Sequence, residues 1–99
     1  YQHAGSNILF RVIALHQMGR LLEEKGDFEK GCDYYDRAAK EPGHPAGWFS
    51  LYEKARCLKK VGNPKSKEVY EKLLLDKTVP ADFKERIEEE WISAQLPKS

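Results

Sequence analysis

An all-helical fold built from two related hairpins and a closing helix is what this sequence predicts, on three observations. Apolar residues recur at spacings of three and four, and no run of β-branched residues competes as a strand. Turn signals rich in glycine and proline divide the chain into segments of helical length. The stretch from Leu15 to Pro80 also repeats itself at a nearly constant offset.

The segments follow in order. The first helix is expected from about Ser6, a good N-cap, to Lys25, where Gly26-Asp27 stops it. The second runs from about Phe28 to Lys40 and ends at Pro42-Gly43-His44-Pro45, through which no helix continues. The third spans roughly Ala46 to Val61, before Gly62-Asn63-Pro64. The fourth covers about Lys65 to Lys77 and is interrupted by Thr78-Val79-Pro80. The fifth starts with Pro80 and Asp82 in its first turn and continues to about Gln95, leaving a tail from Leu96 to Ser99 that should fray. Phe83, Ile87, Trp91 and Ala94 place one apolar stripe on this last helix, with Lys84, Glu85, Glu88 and Glu89 off it, a pattern suited to covering the end of a stack.

The repeat is the strongest signal. Leu15, Gly19, Leu22 and Gly26-Asp27 match Leu51, Ala55, Leu58 and Gly62-Asn63 at an offset of 36. After the turn the offset becomes 35, pairing Gly31 with Ser66, Tyr35 with Tyr70, Ala38 with Leu73 and Pro45 with Pro80. Small residues match small where helix axes must approach, and aromatic matches aromatic where a gap must be filled. The expected organisation is a single domain over 1–99: repeat one about 6–45, repeat two about 46–80, and a capping helix about 81–95.

These residues resemble the tetratricopeptide repeat. Its signature has a large residue, Leu-Gly and a further large residue on the first helix, then Ala-x3-Phe and Pro on the second. The first unit offers Leu15-x2-Met18-Gly19-x2-Leu22, Gly31-x3-Tyr35-x2-Ala38 and the Pro42/Pro45 turn. The second offers Leu51-x2-Lys54-Ala55-x2-Leu58, Ser66-x3-Tyr70-x2-Leu73 and Pro80. Lys54 stands where the family has an apolar residue, and each unit is longer than the usual repeat. The resemblance implies a right-handed helical solenoid of two antiparallel hairpins. It also implies a function in protein–protein interaction, with partners held on a concave face formed by the first helix of each unit.

Carried over by helix face, the partner-binding candidates are His16, Arg20 and Glu23 from the first unit and Phe49, Tyr52, Arg56 and Lys59 from the second. Arginine beside tyrosine is a frequent hot-spot pairing, and Arg20, Arg56 and Lys59 would favour an acidic segment of a protein or peptide partner. Some co-chaperone members clamp acidic C-termini with Lys-x3-Asn on the first inner helix. Here that stretch reads His16-x3-Arg20, which argues against that particular activity.

A second surface is expected at the start of the first helix. Ile8, Leu9, Phe10, Val12 and Ile13 spread around most of its circumference, more than one hairpin needs. The alternative function is therefore self-assembly: either two copies pair through this helix, or a further repeat precedes it. A third arrangement folds Tyr1 to Phe10 back on the domain itself.

Composition narrows the remaining classes. A net charge of +1 gives no global attraction to nucleic acid. Ile8 to Leu15 is too short for a membrane span and contains Arg11, and it lacks the flanks of a signal peptide. The chain opens on Tyr1, the pattern of an excised or processed piece. His3, His16 and His44 show no zinc-ligand spacing, and no phosphate loop or nucleophile elbow occurs, so no cofactor, metal or catalytic role is expected. Cys32 and Cys57 are too few for a disulfide scaffold and read as small core residues, with a bridge between them as the alternative.

Overall fold

Gly26 and Gly62 close two turns that are copies of each other. Both take the left-handed backbone conformation, with φ of 85° and 73°, which residues carrying a Cβ resist. In the first turn the N–H of Gly26 donates to the Glu23 carbonyl and that of Asp27 to the Leu22 carbonyl. In the second the N–H of Gly62 donates to Lys59 and that of Asn63 to Leu58. All four positions match at the same offset of 36, and the nested bonds are those of a Schellman stop, which satisfies the last carbonyls of a helix.

The computed structural model describes residues 4–95, with side chains from Asn7 onward. Five helices make up the order α1 (Ala4–Glu24), α2 (Phe28–Ala39), α3 (Gly47–Lys60), α4 (Lys65–Leu75) and α5 (Ala81–Gln95), with no strand among the described residues. The all-helical class and all five segments stand as expected. Two boundaries differ. Helix α1 begins at Ala4, so Ser6 lies inside its first turn and is not its N-cap. Helix α4 ends at Leu75 because the Asp76 carboxylate accepts both the N–H and the hydroxyl of Thr78, at 2.8 and 2.6 Å, and so competes with the helix. The expectations for His3 and for the tail Leu96–Ser99 concern positions outside the described residues.

Each helix packs mainly on the next in sequence, α1 on α2, α2 on α3, α3 on α4 and α4 on α5. Short turns force consecutive helices to reverse direction. The molecule is correspondingly elongated, about 52 by 33 by 17 Å. Positions paired by the repeat share the interior: Tyr35 and Tyr70, Ala38 and Leu73, and Gly31 and Ser66 are all buried. Gly19 and Ala55 lie at tight crossings. A methyl group on Gly19 would come within 2.8 Å of the Tyr35 ring, so at this point the two helix axes leave room only for hydrogen. Ile87 of α5 is fully buried, and Phe83, Trp91 and Ala94 pack beside it on the core, as its stripe requires.

Two links join α2 of the first hairpin to α3 of the second. Lys54, the departure from the apolar pattern, sends its ammonium 2.9 Å to Asp36 of α2, which also pairs with Lys40. Burial alone would raise the Asp36 carboxyl, but the hydrogen bonds from Lys54 and Lys40 outweigh it and hold it below its ordinary value. The second link is covalent. Cys32 of α2 and Cys57 of α3 form a disulfide with their Cα atoms 5.5 Å apart, so the bridge, and not a pair of free thiols in the core, describes these residues.

Candidate functional site

The inner sides of α1 and α3 meet along an open groove of about 500 Å³, lined by Arg20, Glu23 and Glu24 of α1, Phe28 and Tyr35 of α2, and Glu53, Arg56 and Lys60 of α3. A row of rings continues from its end. His16 stacks on Phe49 with centroids 5.9 Å apart and planes within 7°, and its edge meets Tyr35 at 5.5 Å. Phe49 meets Phe83 of α5 at 6.3 Å, and Phe83 also receives the rings of Trp48 and Tyr52, each at 4.9 Å. Four helices contribute rings to this row, and its half-buried members are Trp48 and Phe49 of α3 and Phe83 of α5.

The seven partner-binding candidates divide on this framework, with Glu23 half-buried. Arg20 is exposed, and among the described residues no carboxylate lies within salt-bridge distance of it. Lys59 and Phe49 are half-exposed. Arg56 is partly exposed but already paired, its Nη1 2.9 Å from Glu53 and its guanidinium 5.9 Å from the Tyr52 ring centre. His16 and Tyr52, in contrast, are buried, and both are committed to partners inside the protein. A surface reading of these two side chains does not hold. Each lies on the correct helix but too close to the neighbouring helix to be free.

Tyr52 donates its hydroxyl to Glu90 at 2.6 Å, and Tyr70 of α4 donates to the other oxygen of the same carboxylate at 2.9 Å. Burial first, then these hydrogen bonds, push the Tyr52 phenol up to about 12 and move Tyr70 in the same direction. Glu90 thus fastens α5 to α3 and α4 together. Tyr35 does the equivalent at the other end, donating to Glu23 at 2.8 Å, while Lys60 reaches the second oxygen of that carboxylate at 3.6 Å.

His16 belongs to a buried chain of hydrogen bonds with Ser50 and His44. The Ala46 N–H donates to His44 Nδ1 at 3.2 Å, so neutral His44 carries its proton on Nε2. That proton points to the Ser50 oxygen at 3.0 Å, and the same oxygen lies 2.6 Å from His16 Nε2, accepting from it or donating to it according to the His16 tautomer. Burial, with lesser help from Arg20 and His44, lowers the affinity of His16 for a second proton; burial also lowers that of His44, against a small opposing effect of Glu41. Two histidines around a serine suggest nucleophile activation. Ser50 is fully buried, however, and the chain serves to pin the turn before α3 to α1.

Glu53, Lys60, Phe83 and Glu90, none of them among those candidates, also shape the groove and the ring surface. Spacing offers a signal for two of them: Lys60 stands four residues after Arg56, and Glu53 three before it, on the same helix face. Glu90 gives no such signal, since its partners are 20 and 38 residues away. A larger open groove of about 1120 Å³ runs on the other side, between α2 and α4, and is lined by Asp36, Lys54 and Val69 among others. No group of three or more metal-ligating side chains converges among the described residues.

On the self-association candidates, Leu9, Phe10 and Ile13 are exposed. Val12 is buried, and Ile8 is half-buried over the turn at Gly43, so these two face the domain and not a second molecule. No helix among the described residues is long and apolar enough to cross a membrane. No protein-family model, no curated protein and no solved structure matches this chain.

Proposed function

We propose that this chain is a protein-interaction module of the tetratricopeptide kind. Its two hairpins and closing helix would form a short right-handed solenoid that holds an extended segment of a protein partner along the α1–α3 groove. The observation that carries this reading is the open, charged α1–α3 groove, whose Tyr35 wall is joined through His16 to the half-buried rings of Phe49, Trp48 and Phe83. The repeated Schellman turns support the hairpin repeat on which the solenoid rests. Catalysis has no part in this reading.

The charge preference narrows to two residues. Glu53 and Glu23 already neutralise Arg56 and Lys60, so attraction for an acidic segment rests on Arg20 and Lys59. Selection of binders from a displayed library of random peptides, followed by titration against the Arg20→Glu/Lys59→Glu variant, tests this. Selected peptides should be enriched in acidic residues and lose at least tenfold in affinity on the variant, at an unchanged melting temperature. Equal affinity for both proteins would remove the groove from the account.

A further inference from the structure

The inward side of α1, carrying Val12, His16, Gly19 and Glu23, rests on α2 and α3. Its opposite side carries Phe10, Ala14, Gln17 and Leu21, spaced four, three and four, which is the spacing of a coiled-coil seam. Ile13 and Met18 flank that seam on its two edges. Phe10 is 70% exposed, Ile13 52%, Leu21 50% and Met18 41%. An apolar stripe of this kind on a helix end-face of a small domain marks an interaction surface.

The stripe is symmetric about its own centre. Phe10 and Leu21, Ile13 and Met18, and Ala14 and Gln17 each lie equally far from the midpoint between Leu15 and His16. We propose that this face docks a second copy of the same chain, antiparallel, on a two-fold axis through that midpoint. An isologous interface needs a surface that complements itself, and this one does. Phe10 of one copy then faces Leu21 of the other, and small Ala14 faces long Gln17. Ile13 and its own counterpart share one edge, and Met18 and its counterpart share the other, each pair about five residues of helix apart.

Charge fits the same arrangement. Arg11 and Arg20 lie on opposite edges, so the two-fold does not bring them together, and Arg11 is in any case held by Glu41 at 2.9 Å. Exposed Glu24, at the last turn of α1, comes over the first described turn of the second copy's α1, the end of the helix whose dipole favours a carboxylate. A head-to-tail stack fails by comparison. The outward side of α5 carries Asp82, Glu85, Glu88 and Glu89 around Ile92, and covering it with the α1 stripe would bury carboxylates without partners.

The area sets the strength. One face of a 21-residue helix, about 31 Å long, falls short of the roughly 800 Å² per partner of a standard tight interface, so the dimer is weak, in the micromolar range or above. The test is sedimentation equilibrium of the full chain from about 10 μM to 1 mM, a window that brackets such a constant. The unaltered chain should move from monomer to dimer, and Phe10→Lys should raise the dissociation constant at least tenfold without changing the melting temperature. Orientation is read by oxidative cross-linking. Phe10→Cys should cross-link only when mixed with Leu21→Cys. A monomeric mass throughout, a mass beyond the dimer, or efficient self-cross-linking of Phe10→Cys would each overturn the proposal.

Discussion

The Ser50 hydroxyl and the imidazole of His16 are joined at 2.6 Å across the contact between α1 and α3, with both groups buried. Burial favours the neutral ring, whose Nε2 accepts from the Ser50 hydroxyl or donates to its oxygen according to the tautomer. Buried polar groups of this kind are costly to strand, so the state of the histidine is tied to the stability of the contact.

The pH dependence follows from that tie. His16 and His44 both bind a proton less readily folded than unfolded, where the ordinary value is 6.5. Their contribution is therefore fully present above about 6.5 and is lost as the pH falls through the lower folded values. Asp36 and Asp76, also shifted down, act in a separate window below their ordinary value of 3.8. Melting temperatures should be flat from pH 8 to 7 and decline below about 6.5, and a His16→Gln variant should flatten that decline. An unchanged decline in the variant would exclude His16 as its source.

Removing Glu90 should loosen α5. Glu90→Ala leaves the hydroxyls of Tyr52 and Tyr70 without their acceptor and should cost about 1–3 kcal/mol, with Glu90→Gln costing less because an amide oxygen still accepts. Denaturant melts compare the two variants. A spectroscopic check is tyrosinate absorbance, which in the native protein should stay incomplete at pH 11, since Tyr35, Tyr52 and Tyr70 are all shifted upward.

Bulk at the first helix crossing should be penalised at once. Gly19→Ala already places a carbon 2.8 Å from the Tyr35 ring, and Gly19→Leu or Ala55→Leu should cost about 1–3 kcal/mol each. At about 4–8 °C per kcal/mol for a domain of this size, calorimetry resolves the loss. No loss at either position would break the equivalence between the two units.

Reduction of the bridge should be equally visible. Constraining a chain across a separation of 25 residues is worth about 3.5 kcal/mol in the chain-entropy description. Treatment with a dithiol reductant should therefore lower the melting temperature, and Cys32→Ser/Cys57→Ser should be indifferent to it. Equal stability with and without reductant would show that the link adds nothing to the packing of α2 on α3.

The helices were legible because their stops are local: Gly26, Pro42, Gly62 and Pro80 act on their own backbone, whatever the rest of the chain does. The site was less so. Arg20, Lys59 and Phe49 sit where helical period puts them, but the fates of His16 and Tyr52 depend on Ser50 and Glu90, which arrive from 34 and 38 residues away. Lys54 shows the same limit. As a residue in an apolar pattern it looked misplaced, and only the neighbouring hairpin, by bringing Asp36 within 2.9 Å, explains it. The pairing of Cys32 with Cys57 is likewise a property of distance in space, which residue spacing does not encode.

That each helix docks chiefly on its sequence neighbour has a kinetic consequence. Such a chain needs few long loops closed before its contacts form, so its relative contact order is low and its folding falls in the microsecond-to-millisecond range typical of helical domains. Assembly can start at either hairpin and spread to the next, as in a one-dimensional array. The disulfide joins neighbours in that array, so it constrains a step that is already local. Because the link acts on the unfolded chain, losing it should slow refolding more than it speeds unfolding where that local contact forms early.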